Sequence, residues 1–172
     1  MALELTPRTL LGPGPSDVHP KILEAAGKKT IGHLDPQFVI LMEEIKSLLK
    51  YAFKTKNEMT YTVSAPGSAG METCFVNLVE PGDKVLVCIN GVFGKRMLEN
   101  VTRIGGLPVV LEFPWGKSVD PQRIEEELKK DPSIKIVSFV HGETSTGVLS
   151  DAEAIAKVAR AHECLTIVDT VT

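Results

Sequence analysis

An acid ends a buried strand close to the last residue of the chain. A mostly apolar run, Leu165–Val168, leads directly into Asp169. A carboxylate in that place loses much of its hydration and is costly unless it gains a partner. Ligands of open α/β sheets bind at the carboxyl edge of the strands. We therefore expect Asp169 to face a cationic or protonated group of a ligand.

Two further segments are expected at the same edge. The segment His141–Gly147 follows an apolar strand and carries hydroxyls and an acid, so it is expected to form a wall of the site. His141 is either a base or a core histidine bonded to backbone, and a lone histidine favours the core role. Asn90-Gly91 forms a turn before Phe93, whose ring could stack on a planar ligand or belong to the core.

A third segment, Ser64–Gly70, consists of small residues and proline ahead of a helix. Small side chains let a ligand approach the backbone, and the N–H groups at a helix start suit an anion such as phosphate. The alternative is a plain tight turn between a strand and a helix. The segment matches neither the dinucleotide-binding fingerprint nor the P-loop.

The elements that must position these residues alternate between strands and helices. Strands are predicted at Met59–Ser64, Lys84–Ile89, Pro108–Phe113, Ile134–Val140 and Cys164–Asp169. Helices are predicted at Met71–Val79, Phe93–Ile104, Pro121–Lys130 and Ala152–Ala161. Several strands are almost continuously apolar, which is typical of parallel strands covered on both faces. The pattern predicts an α/β fold in three layers, with a doubly wound, mostly parallel sheet.

The residues ahead of this block are organised differently. Prolines and glycines alternate in Leu11–Ser16, which excludes regular structure. A short helix is predicted at Pro20–Ala26, and Asp35-Pro36 opens a long helix that ends near Phe53. Its apolar stripe is Phe38, Leu41, Met42, Ile45, Leu48, Leu49 and Ala52. We expect two parts: an arm and long helix at 1–57, which packs on the sheet domain or a partner subunit, and a sheet domain at 58–172.

Composition narrows the class of protein. The formal net charge is −3 and the basic residues are scattered, which disfavours nucleic-acid binding. No apolar stretch approaches a membrane span, and the N-terminus does not resemble a secretory signal, so a cytoplasmic protein is expected. The odd count of three cysteines, without metal-ligand spacing, predicts buried reduced thiols and no metal site; they are Cys74, Cys88 and Cys164.

Together these residues describe one ligand. It places a phosphate at the helix beginning near Gly67, a flat ring on Phe93 and a protonated ring atom at Asp169. Pyridoxal phosphate (PLP) has these three features, and a carboxylate beside its pyridine nitrogen raises the pKa of that nitrogen. A doubly wound nucleotide-binding domain is the alternative that the absent phosphate-loop motifs disfavour.

The order of the motifs resembles a known family. The motifs are Leu11–Ser16, Glu80–Asp83, Asn90–Gly94, Arg103–Gly105, His141–Gly147 and Val168–Val171. They resemble the class V, fold-type I PLP-dependent aminotransferases, and within them the alanine–glyoxylate and serine–pyruvate or serine–glyoxylate group. The resemblance implies transfer of an amino group from alanine or serine to glyoxylate or pyruvate, and a homodimer. Kynurenine-side and ureidoglycine–glyoxylate transamination stay open.

The resemblance also implies roles for individual residues. Pro66, Gly67 and Ser68 fall at the phosphate-binding turn, often Ser-Gly-His in the family, so here the backbone contacts are expected to persist. Phe93 matches the aromatic residue that stacks on the pyridine ring, often tryptophan, and Thr144 matches a hydroxyl residue beside that ring. Asp169 matches the partner of the pyridine nitrogen.

The same resemblance assigns a segment of the arm and implies missing parts. Gly12, Pro13 and Gly14 match a segment near the substrate and the dimer interface. In the family the Schiff-base lysine follows the strand that comes after the position of Asp169, and the substrate-binding arginine lies in a C-terminal domain. None of Lys95, Lys117, Lys129, Lys130, Lys135 and Lys157 suits the lysine role.

We therefore expect the chain to be the N-terminal part of a larger aminotransferase, with an incomplete sheet and no activity by itself. A peroxisomal location stays possible if a later segment carries a targeting signal. The alternative is an inactive module of the same fold that binds the cofactor or a partner.

Overall fold

A computed structural model describes residues 6–172, which form two compact units that meet in sequence at Ser64 and Ala65. The first five residues lie outside the described range. The predicted arm begins with them, and they are part of the N-terminus that is predicted not to be a secretory signal. The division predicted at residues 57 and 58 stays a prediction. No helix in the described range is long and apolar enough to cross a membrane.

The first unit contains two helices, α1 (Pro20–Ala26) and α2 (Pro36–Ala52), both with the predicted bounds. The Asp35 carboxylate caps α2 by accepting a hydrogen bond from the Gln37 N–H at 2.8 Å. No residue from 6 to 64 is buried. The strand predicted at Met59–Ser64 is wrong: the described part of this unit contains no strand, so these residues have no ladder to join.

The second unit is built on a four-stranded parallel sheet. Its strands are β1 (Lys84–Ile89), β2 (Leu107–Glu112), β3 (Ile134–Val140) and, after a hairpin, β6 (Leu165–Asp169). They lie in the order β2-β1-β3-β6, and every neighbouring pair is parallel. The hairpin pairs β4 (Gly142–Glu143) with β5 (Val148–Leu149). The predicted α/β class with a parallel sheet is confirmed. Four of the five predicted strands match the observed ones within one residue at each end.

Helices cover both faces of this sheet. They are α3 (Gly67–Leu78), α4 (Val92–Arg103), α5 (Pro121–Lys130) and α6 (Ala152–Ala161). Alternate residues of β1 belong to two different cores. Leu86 and Cys88 pack with residues of α5 and α6, whereas the valines at 85 and 87 pack with residues of α3 and α4. This alternation explains why β1 is apolar at every position from 85 to 89.

Two predictions on α3 need correction. The helix begins at Gly67, four residues before the predicted start, because Pro66 occupies the cap with extended backbone and the small residues after it form the first turn. Cys74 is exposed on α3, so the prediction that it is buried is wrong: the position lies on the face of the helix that the core does not cover. Cys88 and Cys164 are buried as predicted.

Candidate functional site

The site lies where the chain reverses its direction across the sheet. From β1 the chain moves outward to β2 through α4, and from β3 it moves outward to β6 through α6, on the other face. A crevice therefore opens at the carboxyl ends of the adjacent strands β1 and β3. Such a switch point is where open α/β sheets bind ligands.

A pocket of about 150 Å³ opens at this edge of the second unit. Its lining contains all six residues that the sequence predicts to bind the cofactor, together with two apolar neighbours: Pro66, Gly67, Ser68, Met71, Phe93, Thr144, Asp169 and Val171. These residues come from the start of α3, the start of α4, the loop after β3 and the end of β6. The fold thus brings together residues that are about 100 positions apart in the chain.

The start of α3 forms one wall of the pocket. No acid lies in its first turn, and the N–H groups of a first turn have no acceptor within the helix. A Cβ atom on residue 67 would lie 2.8 Å from Cγ2 of Val171, so only glycine fits without a shift. This wall therefore presents bare backbone donors at the positive end of a helix, which suits a phosphate.

Asp169 lines the same pocket, at the end of β6. Its side chain is half-buried, and its Oδ1 accepts a hydrogen bond from the Val171 N–H at 3.1 Å. No hydrogen bond to Oδ2 is found within residues 6–172. One carboxylate oxygen is therefore held by the backbone, while the other is available to a ligand group that carries a proton.

Phe93 and Arg96 connect the start of α4 to the start of α3. The Arg96 guanidinium carbon lies 4.9 Å from the centre of the Phe93 ring, and its Nη1 donates to Ser68 Oγ at 3.3 Å. Phe93 is half-buried and packs beside the core of α3 and α4, as the core alternative expects, while its stacking on a planar ligand stays a prediction. Sequence reasoning assigned no role to Arg96, which adds positive charge beside Ser68.

Glu143 is the second residue that sequence reasoning missed. It is 1% exposed, and its Oε2 accepts from the N–H groups of Phe93 at 3.2 Å and Gly94 at 3.3 Å. Its Oε1 accepts from the Ser145 hydroxyl at 2.6 Å. A buried acid needs such donors. The only signal in the sequence is an acid inside a loop of small and hydroxyl residues directly after a buried strand.

The remaining predicted residues have simpler surroundings. The Thr144 hydroxyl pairs with the Thr172 hydroxyl. Nδ1 of His141 lies 2.8 Å from the Ser150 carbonyl oxygen, and it must donate because a carbonyl only accepts. The bond to backbone agrees with the alternative that the sequence favoured, although His141 is half-buried and not part of the core. Gly12, Pro13 and Gly14 lie in the first unit, in an exposed irregular segment, and their substrate role stays a prediction.

The charged groups of the second unit that form ion pairs lie away from the pocket. Lys84 pairs with Asp131 and Lys135 with Asp83, and the lysines at 129, 130 and 157 pair with glutamates on their own helices. A hydrogen bond from Lys84 lowers the pKa of Asp131 to about 2. Among the residues that the structure describes, no lysine lines the pocket, and no cluster of acids, histidines and cysteines could hold a metal.

Comparisons with known proteins agree with this geometry. The family model "Aminotransferase class-V" matches residues 20–172. An alanine–glyoxylate aminotransferase of Mus musculus is 38% identical over 98% of this chain, and a (S)-ureidoglycine–glyoxylate transaminase of Bacillus subtilis is 39% identical over 95%. The chain spans only 41% and 39% of those two relatives.

Solved structures show the same likeness. The crystal structure of an alanine–glyoxylate aminotransferase from Nostoc sp. aligns with 99% of this chain at a TM-score of 0.92 and 42% identity, and the chain covers 45% of it. A pyridoxamine–pyruvate aminotransferase from Mesorhizobium loti aligns with 92% of this chain at a TM-score of 0.83 and 29% identity, and the chain covers 40% of it. Because the family model matches most of this chain, residues 20–172, the chain belongs to the class-V aminotransferase family.

Proposed function

We propose that this chain provides the cofactor-binding part of a PLP-dependent aminotransferase that acts on glyoxylate or pyruvate. The observation that supports the proposal best is the pocket at the switch point, whose lining includes every residue expected to bind PLP. Its chemistry fits the cofactor, since bare helix N–H groups, an aromatic ring and a carboxylate face one cavity. When bound, PLP supplies an aldehyde that takes up the amino group and a ring that withdraws electrons.

Asp169 holds a proton on the ring nitrogen of the cofactor. A carboxylate close to a basic nitrogen favours its charged form, so the pKa of that nitrogen rises. The backbone N–H of Val171 holds one oxygen of Asp169, which leaves the other for a partner in the pocket that this residue lines. Keeping the ring protonated is what makes it an effective sink for electrons.

The start of α3 and the guanidinium of Arg96 bind the phosphate. Residues 67 and 68 offer N–H groups at the positive end of the helix dipole. Arg96 donates to Ser68 Oγ and so places a positive charge beside the same wall. Phe93 would pack against the flat ring, and Thr144 lines the same pocket with a hydroxyl that can donate or accept.

The substrates are proposed from what relatives have in common. Their names combine glyoxylate or pyruvate as one partner with alanine, ureidoglycine or pyridoxamine as the other. We take a small amino acid, alanine or serine, as the donor. Gly12, Pro13 and Gly14 are proposed to approach this substrate, and a cytoplasmic homodimer is the proposed working form.

The lysine that holds the cofactor is proposed to come from a segment outside these 172 residues, because none lines the pocket within residues 6–172. The competing function is an inactive module that binds PLP without turnover. The absence of a lysine from the lining favours that module only if the protein at its natural length also lacks one there.

The test is an Asp169→Asn exchange in the protein at its natural length. The wild type should bind PLP, shown by a visible absorption band that borohydride removes, and should transaminate alanine or serine with glyoxylate or pyruvate. Turnover of Asp169→Asn should fall by about 10²-fold or more, the usual cost of removing one electrostatic partner of a transition state. Asp120→Asn, which changes an exposed cap of α5, should retain PLP and turnover.

Two results would contradict the proposal. A wild-type protein that binds PLP but never turns over would support the inactive module instead. Normal turnover of Asp169→Asn would show that this carboxylate does not hold the ring proton.

A further inference from the structure

The buried carboxylate of Glu143 joins two segments that follow two different strands. It lies in β4, directly after β3, and it accepts from the backbone of α4, which follows β1. Helix α4 has no side-chain cap of its own, because its N-cap residue is Gly91. A carboxylate at the positive end of a helix is favourable, so Glu143 caps α4 from across the crevice.

The loop that carries Glu143 satisfies the whole first turn of α4. The N–H groups of Phe93 and Gly94 donate to Glu143, and that of Val92 donates to Ser145 Oγ at 2.9 Å. Ser145 in turn donates to Glu143 through its hydroxyl and, at 3.2 Å, through its N–H. The carboxylate therefore accepts from four donors and has no place for a fifth partner in the pocket.

Gly91 completes the contact. A Cβ atom there would lie 2.3 Å from Cδ and Cγ of Glu143. Its φ of 177° is extended backbone that any residue adopts, so the need for glycine comes from the Glu143 side chain and from Ser145 Oγ, which would lie 2.6 Å from the Cβ atom, and not from the turn. The backbone of the Asn90-Gly91 turn and the Glu143 side chain are packed with no free space between them.

Glu143 connects two residues that line the pocket. Phe93 donates its own N–H to Glu143, and Thr144 is the next residue in the chain. We propose, on the basis of the function proposed above, that Glu143 is a positioning residue. It fixes the aromatic ring of Phe93 relative to Thr144, and it fills the anion site of α4 so that the phosphate of PLP binds only at the start of α3.

The second part follows from electrostatics. Both α3 and α4 start at the same edge of the sheet, and neither has an acid in its first turn. Each start attracts an anion. Because the Glu143 carboxylate occupies the N–H groups of α4, only α3 remains free, and the cofactor can bind in one orientation.

The test compares Glu143→Gln with Ser150→Ala in the protein at its natural length. Glutamine keeps the shape, but one of its two ends is an NH₂ donor that faces the N–H donors of α4 or Ser145. The affinity for PLP should fall about tenfold, and the visible circular dichroism band of bound PLP should change at saturation. Ser150 is buried and its Oγ accepts from the Val119 N–H, so Ser150→Ala should lower stability without either change.

A double-mutant cycle gives a second readout. Gly91→Ala alone should weaken PLP binding, because its methyl group displaces the carboxylate. In a Glu143→Ala background the methyl group no longer meets Cδ and Cγ of Glu143, although Ser145 Oγ still lies 2.6 Å from it, so Gly91→Ala should have a smaller further effect than in the wild type. Should Glu143→Gln fail to fold, Ser145→Ala, at an exposed residue, tests the same network and should weaken PLP binding with a smaller fold-change.

Several results would overturn the proposal. Wild-type PLP affinity and dichroism in Glu143→Gln, with only a lower melting temperature, would reduce Glu143 to a structural residue. Additive effects of Gly91→Ala and Glu143→Ala would refute the direct contact. A wild type that binds no PLP would refute the proposed function as well. Normal PLP binding by both the wild type and Glu143→Gln would refute only the role of Glu143.

Discussion

Gly94 is the residue at which helix α4 touches strand β1, and its replacement by alanine tests how this contact positions the site. A Cβ atom on residue 94 would lie 2.8 Å from the Cys88 carbonyl oxygen and 3.0 Å from Cα of Ile89. Both are backbone atoms of the central strand, so they cannot rotate away. The first turn of α4, which carries Phe93, would have to move outward by several tenths of an ångström.

The expected cost follows from two opposing effects. Overpacking in a well-packed core typically costs about 1–3 kcal/mol. Alanine favours a helix over glycine by about 1 kcal/mol. Gly94→Ala should therefore lower the free energy of unfolding by about 1 kcal/mol, taking about 2 kcal/mol for the overpacking. Gly70 provides a matched control, because it also lies near the start of a helix, α3. A Cβ atom on residue 70 would have nothing within 4 Å. Gly70→Ala should raise the free energy of unfolding by up to about 1 kcal/mol.

Urea unfolding of both variants and the wild type measures the difference. The midpoints should move in opposite directions at an unchanged m-value, which reports an unchanged surface exposed on unfolding. Gly94→Ala should also broaden or shift the dichroism of bound PLP, because Phe93 and the Gly94 N–H move together. If Gly94→Ala were as stable as Gly70→Ala, the close backbone contact between α4 and β1 would be refuted.

Two more predictions concern charge and thiols. Lys84→Gln should lower the urea midpoint near neutral pH, because the hydrogen bond from Lys84 is the largest of the contacts, with those of Ser133, that lower the pKa of Asp131 from 3.8 to about 2. Since the folded pKa is the lower one, this stabilisation is lost as the pH falls through that range, so the midpoints of variant and wild type should converge there. Of the three thiols in these residues, only the exposed Cys74 should react with iodoacetamide in the native protein, because burial raises the pKa of Cys88 to about 12 and also raises that of Cys164. Peptide mass spectrometry should find only Cys74 modified before denaturation and all three cysteines modified after it.

The strands of the sheet could be predicted because each one is recognisable from its own run of apolar residues. Residues 85 to 89 are apolar without a break, and both neighbouring helices are needed to cover them. Residues 59–64 look similar in sequence, with β-branched and aromatic side chains. A strand also needs a partner, however, and the described part of the first unit has none. Local pattern reports the preference of a segment but not the presence of its neighbour.

The pocket was predictable wherever a residue directly follows a strand or opens a helix. Asp169 ends β6 and Phe93 opens α4, so their position along the chain fixes their place at the carboxyl edge. Arg96 and Glu143 were missed for different reasons. Arg96 is one turn inside a helix, where an arginine is usually a solvated surface residue. Glu143 sits in a polar loop, where an acid is usually exposed, yet it is 1% exposed.

The burial of Glu143 depends on the order of the strands, which alternation of strands and helices does not determine. If the strands lay in chain order, β2 would separate β1 from β3, and the loops at 90–93 and 141–147 would not be neighbours. In the observed order β2-β1-β3-β6 these loops are adjacent, and the acid after β3 meets the helix after β1. A buried acid of this kind therefore becomes visible only with the topology, whereas residues that line the pocket, such as Asp169, are already placed by the ends of single strands.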